Sequence, residues 1–294
     1  MHKLELSAGL ALPVLGLGTW RMGESPHSQA DEQRAIRHAI ELGYRLFDTA
    51  EMYGEGGAEL VLGRAISDAL RAGDVRRDEL TIVSKVYPHN ASQDGTRAAG
   101  ERSRRRLGLD HIDLYLLHWR GSHALAETVD GFHELQQAGV IRCWGVSNFD
   151  IDDLDELAAV QDLRPGSAGL GGAALCACNQ VYLSPTQRGP ELALLPWQRR
   201  HDVALMAYSP IDQGACTQDG PLARIAGELG VSAARLALAW LLHKPGVCVI
   251  PKSVTPAHLR DNLAAADLQL DATTLAALEA AHPLPRHKPP LAMI

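Results

Sequence analysis

Short apolar and β-branched runs alternate along the chain with longer stretches in which apolar residues recur every three or four positions. The runs fall at residues 14–18, 45–48, 81–85, 113–117, 143–147, 176–180, 204–208 and 247–251. Each is brief and nearly continuous in hydrophobicity, the pattern of a parallel strand buried on both faces. Between them Ala35, Ile36, Ala39 and Ile40 make one helical stripe, Leu60, Val61, Ala65 and Ala69 a second, and Leu222, Ile225, Ala226 and Leu229 a third. Eight strand–helix repeats predict the α/β class. A doubly wound open sheet of that size would show a glycine fingerprint early in the chain, and none is there, so the prediction is a closed (β/α)8 TIM barrel. Ahead of it, residues 3–6 and 10–12 flank Ser7, Ala8 and Gly9 as a hairpin capping the barrel floor. Extra C-terminal helices are expected over 256–266 and 272–281, followed by a proline-rich extended tail at 283–290. No linker divides the chain, so residues 1–294 are expected to form a single barrel domain, within the size range of such barrels.

Composition narrows the function classes. The chain is 46% hydrophobic and 21% charged with a formal net charge of −7, and its charges are interspersed, which argues against a nucleic-acid partner. The run Arg102, Arg104, Arg105 and Arg106 reads as one solvated helix face. The amino terminus interrupts its apolar residues with charge, unlike a secretory signal, and a cytoplasmic protein is expected. Residues 165–187 carry no charge, but Gly, Pro, Asn and Gln break the stretch, so it reads as a loop entering a buried strand and not as a membrane span. Five cysteines at 143, 176, 178, 216 and 248 show no zinc spacing; most read as small core residues, with Cys176 and Cys178 on one strand face. Gly169–Ala174 formally fits a dinucleotide fingerprint, yet it leads into a strand instead of a helix and lacks the context that motif needs.

Barrels of this class gather reacting groups at the carboxyl ends of their strands. Asp48 ends the second run, Lys85 the third, His118 follows the fourth, and Tyr53 lies one short loop beyond Asp48. Singly, each has a plain alternative: a helix cap, a snorkelling lysine, a satisfied core histidine. Together they suit reduction of a carbonyl, whose oxygen gains negative charge that must be stabilised and protonated. Tyr53 would be the acid, Lys85 the cation that strengthens it, Asp48 the partner that keeps Lys85 charged, and His118 a hydrogen-bond donor orienting the substrate. Trp20, Tyr87 and Trp119 follow strand ends and are candidate walls of a substrate pocket that also holds Tyr53 and His118, while core packing stays open for each. Arg21 and Arg120 stand near the same mouth and are left outside the site.

The segment Gly43-Tyr44-Arg45-Leu46-Phe47-Asp48-Thr49-Ala50-Glu51-Met52-Tyr53-Gly54 resembles the first signature of the aldo-keto reductases. Leu114–Trp119, Gly145–Phe149, Asn179–Tyr182, Ala207–Pro210 and Ile250–Ser253 resemble further motifs of that family in the family's order. Within it, Val83–Pro88 and Leu195-Pro196-Trp197 are most similar to bacterial methylglyoxal reductase-type members.

The resemblance implies an NADPH-dependent enzyme reducing small aldehydes and ketones, such as methylglyoxal, and working as a monomer. It implies that Ser147, Asn148 and Gln180 hold the nicotinamide carboxamide and that Tyr208 stacks on the ring. Ser209, Pro210, Ile211 and Gln213 would cover the pyrophosphate, and Lys252 and Ser253 would take the 2′-phosphate. Thr19, Trp20, Asp48, Ile250, His258 and Asn262 complete the implied cofactor set. Many NADPH-dependent members carry arginine where this chain has His258, so weaker discrimination against NADH is expected. Taken alone, Ser147 and Asn148 also fit caps of the next helix. Two other readings stay open: a nicotinamide-binding sensor resembling potassium-channel β subunits, and an aldolase or isomerase with Lys85 as Schiff-base nucleophile.

Overall fold

The computed structural model describes residues 2–6, 8–25, 28–162 and 176–294. Hairpin strands β1 (Lys3–Glu5) and β2 (Ala11–Pro13) come first. Eight parallel strands follow: β3 (Leu17–Gly18), β4 (Leu46–Asp48), β5 (Thr81–Val86), β6 (Ile112–Leu117), β7 (Ile141–Ser147), β8 (Cys176–Tyr182), β9 (Ala204–Tyr208) and β10 (Val247–Val249). They pair in sequence order, and β10 returns to the first segment: Val249 N donates to Val14 O and Gly16 N to Val249 O, both at 2.9 Å, closing the barrel. Residues 14–16 thus face β10 while 17–18 face β4, so the predicted first run is staggered between two neighbours. The eighth run stops regular pairing at Val249, two residues before Pro251, which has no N–H to donate.

Helices α1 (Gln29–Leu42), α2 (Gly57–Ala72), α3 (Gln93–Leu107), α4 (Leu125–Gln137), α5 (Ile151–Asp162), α6 (Leu194–Arg200), α7 (Pro221–Glu228) and α8 (Ala233–Leu242) connect the strands. Two more follow β10: α9 (Pro256–Leu263), extended by a 3-10 turn over Ala264–Asp267, and α10 (Ala272–Ala281). Local chemistry sets several ends. Ser92, Ser232 and Asp271 accept hydrogen bonds from the first turns of α3, α8 and α10.

Two buried layers hold the barrel. Outside, Ile36, Ile40, Val61, Leu62 and Ile66 pack against Phe47, Ile82 and Tyr115. Inside, Leu46, Val83, Leu114, Leu116, Met206 and Cys248 fill the lumen, and Ala8, Leu10 and Leu12 of the hairpin seal its floor. Each fully buried leucine contributes about 1.5–3 kcal/mol. Among the described residues no single helix is long and apolar enough to cross a membrane.

Two expectations need correction. Cys176 and Cys178 do not share a face: the register between β7 and β8 slips between Trp144 and Val146, so Cys176 packs outward and Cys178 into the lumen. The arginine run is not merely solvated, because Arg102 reaches Glu51 and Arg106 reaches the fully buried Glu59, at 3.2 and 3.1 Å. Ser7 of the hairpin turn and the Gly169–Ala174 segment lie outside the described residues.

Candidate active site

The four residues from the strand ends meet. Lys85, fully buried on β5, donates from Nζ to Asp48 Oδ2 and to the Thr49 carbonyl, both at 2.8 Å, and to the Tyr53 hydroxyl at 3.3 Å. The other Asp48 oxygen, Oδ1, accepts from Gln180 Nε2 at 2.8 Å. Tyr53 opens a short turn, Tyr53–Gly56, and its ring meets His118 edge-on with centroids 5.7 Å apart. Burial works against the Lys85 ammonium, but Asp48 and Tyr53 outweigh it and hold its pKa above the ordinary lysine value.

Tyr53 departs from the expectation. Lys85 does pull its pKa down, yet burial is the larger influence and leaves the phenol above its ordinary value, with Asp48 adding to the rise. Tyr53 therefore carries its proton at neutral pH and holds it more tightly than an ordinary tyrosine. Burial, reinforced by Lys85, presses His118 well below the ordinary histidine value. A neutral imidazole still offers one N–H, and Nδ1 has no partner among the described residues.

Asp48, Tyr53 and His118 line one end of a cavity of about 960 Å³ that runs across the barrel mouth to Lys252, Ser253 and His258. That volume sits at the top of the range for ligand pockets and far exceeds the needs of a small carbonyl. Trp20, Trp119, Ser147, Asn148, Gln180, Tyr208, Ser209, Pro210, Ile211, Gln213, Ile250 and Asn262 also line it. Lys85 and Thr19 do not; both are fully buried behind the wall, and the Thr19 hydroxyl donates to the Asp48 carbonyl at 3.0 Å. Nor does Tyr87, whose ring backs Trp119 edge-on at 5.5 Å.

The middle of the cavity is built from polar strand ends. Ser147 Oγ donates to the Gln180 carbonyl at 2.8 Å, and Tyr208 donates from its hydroxyl to Asn148 Oδ1 at 3.0 Å. Asn148 takes a positive φ of 58° and donates from Nδ2 to the His118 carbonyl at 3.1 Å. Neither Ser147 nor Asn148 caps α5: Asp150 does, accepting from Ile151 N at 2.8 Å while its carbonyl receives Leu154 N. The following loop is pinned by Asp212, which accepts from the hydroxyls of Tyr182 at 2.9 Å and Thr186 at 2.7 Å.

Sequence reasoning missed several lining residues. Arg21, with φ of 62°, lays its guanidinium 4.5 Å from the Trp20 ring and faces the cavity, whereas Arg120 turns away to Glu156 at 3.0 Å. Met52, Thr217, Asp261, Met293 and Ile294 also line it. Of these only Arg21 and Met52 had a sequence signal, their nearness to Trp20 and Tyr53.

Residues 14–283 match the model of the Aldo/keto reductase family. The chain belongs to the aldo/keto reductase family. It is thereby an oxidoreductase, and the match spans every barrel strand described above. Among curated relatives, this aldo/keto reductase is 42% identical to methylglyoxal reductase YeaE of Escherichia coli K12, covering 99% of this chain and 98% of that one. It is 34% identical to aldo/keto reductase slr0942 of Synechocystis, covering 94% and 87%. A solved aldo-keto reductase from Klebsiella pneumoniae in complex with NADPH superposes with a TM-score of 0.89 at 39% identity, covering 99% of both chains.

Proposed function

We propose that this aldo/keto reductase uses NADPH to reduce small aldehydes and ketones, dicarbonyls such as methylglyoxal among them, to alcohols. The observation that carries the reading is the Lys85 ammonium held between Asp48 and Tyr53, two residues that line one cavity of about 960 Å³ together with Lys252 and Ser253. The cavity's residues fit that cofactor: Ser147, Asn148 and Gln180 offer hydrogen-bonding groups for a carboxamide, Tyr208 an aromatic face, and Lys252 with Ser253 a cation and a hydroxyl for a phosphate. The relatives named above are consistent with it.

A bound reduced nicotinamide supplies the hydride. The protein's own part is electrostatic and protic. His118, neutral, donates a hydrogen bond to the carbonyl oxygen and fixes its direction. Tyr53 gives its proton to that oxygen as negative charge develops there. The phenolate left behind faces Lys85, whose charge Asp48 retains, and Gln180 keeps Asp48 in place from its other oxygen. His258 stands where a fixed guanidinium would favour the 2′-phosphate more strongly, so NADH is expected to serve as a poorer substitute. We read residues 1–294 as one catalytic unit, since residues from Gly18 to Ile294 line the same cavity, and we propose a cytoplasmic protein and, as the resemblance implies, a monomer.

NADPH oxidation by the purified protein with methylglyoxal and with a simple aromatic aldehyde tests this directly. The wild type is expected to turn over, and Tyr53→Phe to lose at least about a hundredfold in kcat while its NADP+ affinity stays unchanged. Turnover that survives in Tyr53→Phe would remove the acid from the scheme. Tight NADPH binding without turnover of either aldehyde would point to a sensor instead.

A further inference from the structure

Glu51 has no part in the chemistry above, yet it is only 6% exposed. A carboxylate is kept in such a place only when its oxygens are paired or hydrogen-bonded. Oε1 accepts from the Tyr87 amide at 2.8 Å and from Asn90 Nδ2 at 3.0 Å, and Oε2 accepts from Arg102 at 3.2 Å. These donors belong to the loop after β5 and to α3. Glu51 itself stands two residues before Tyr53, and its amide reaches the Lys85 carbonyl at 3.3 Å. One side chain therefore ties the loop that carries Tyr53 to the loop that carries Tyr87.

That tie leads on to the cavity. The Tyr87 ring backs Trp119, and Trp119 lines the cavity with its centroid 4.8 Å from that of His118. We infer that Glu51 is a positioning residue for the substrate-side wall: by holding Tyr87 it sets where Trp119 stands relative to Tyr53 and His118, and so governs affinity for the carbonyl substrate. The inference rests on the reductase reading. Glu59 provides the internal contrast. It is buried still more completely, but its partners Ser84 and Arg106, at 2.6 and 3.1 Å, do not line the cavity.

Steady-state kinetics with an aromatic aldehyde at saturating NADPH, beside NADP+ titration by fluorescence quenching, separate these roles. Glu51→Ala is expected to raise the aldehyde KM about tenfold while kcat stays within about twofold and NADP+ affinity is unchanged. Glu51→Gln keeps an acceptor oxygen for Tyr87 and Asn90 and is expected to hold KM within about threefold of wild type. Glu59→Gln is expected to lower Tm and leave KM alone. Asn90→Asp sets a second carboxylate against Glu51 and is expected to raise KM as well, so the inference stays testable if Glu51→Ala does not fold. Unchanged KM in the folded variants, a Glu51→Gln defect equal to that of Glu51→Ala, or a matching loss of NADP+ affinity overturns it. Wild-type turnover in the same assay, lost in Tyr53→Phe, tests the parent reading separately; absent wild-type turnover overturns both.

Discussion

At the scale of single residues, His118 shows how burial beside a fixed cation becomes a pH dependence. Burial first, and the Lys85 charge second, hold its folded pKa well below the ordinary value. The unfolded chain therefore binds a proton below about pH 6.5 that the folded chain refuses, so this group's contribution to stability is complete above that pH and declines as pH falls toward the folded pKa. Urea unfolding of wild type should show a loss from pH 6.5 to 5.5 about 1 kcal/mol larger than in His118→Phe. Equal losses in the two proteins would mean that His118 is protonated in the fold. The raised Tyr53 pKa works in the same functional direction, because both groups keep their reducing-direction protonation states through neutrality. A kcat for carbonyl reduction that stays flat from about pH 6.5 to 8 follows.

At the scale of elements, the barrel closes where backbones approach too closely for side chains. A Cβ on Gly18 would stand 2.8 Å from the Ile250 carbonyl oxygen, between the first and last barrel segments. Gly18→Ala must push those segments apart, costing about 1–3 kcal/mol in urea unfolding. Because Gly18 and Ile250 both line the cavity, NADP+ affinity measured by quenching should fall in the same variant. Stability loss with unchanged affinity would confine Gly18 to packing. The β7–β8 contact has a related cause: a Cβ on Gly145 would meet the Cys178 carbonyl oxygen at 2.4 Å. The register slip beside it is what parts Cys176 from Cys178, and a strict two-residue alternation could not register that extra residue.

At the scale of the whole molecule, the cavity depends on segments far apart in the chain. Arg188, 4% exposed, binds both oxygens of Glu191 at 2.7 Å, Glu279 at 2.7 Å and the His282 carbonyl, which ties the loop after β8 to the end of α10. Lys244 joins Glu191 at 3.0 Å, and both cations lie over Trp240 at 4.8 and 4.7 Å. From α10 the tail runs past a Lys288–Asp150 pair at 2.5 Å to Met293 and Ile294 on the cavity wall. Arg188→Met removes the central cation of this network, but Lys244 still pairs with Glu191 and Glu279 is half exposed, so a loss of about 1–3 kcal/mol is expected in urea unfolding. Trypsin should also cut the tail after Arg286 faster in this variant than in wild type. An unaltered cleavage rate would show that the tail is held independently of α10.

The strand count, the barrel class, the floor hairpin and the positions of Asp48, Lys85 and His118 at strand ends were all legible in the sequence, because each rests on periodicity or on neighbours within a few residues. Membership of the family was equally legible, since its motifs are short and contiguous. What the chain alone left open was the partner of most polar groups outside the Asp48, Lys85 and Tyr53 set. The same arginine run reads as a solvated face until α3 is docked and Arg102 and Arg106 meet buried carboxylates. Tyr87 reads as a pocket wall until packing sets it behind Trp119, and Tyr53 reads as acidified by Lys85 until the depth of its burial outweighs that charge. Hydrophobic pattern is a property of consecutive residues, whereas hydrogen-bond pairing, desolvation and cavity shape depend on distances that only the closed barrel sets.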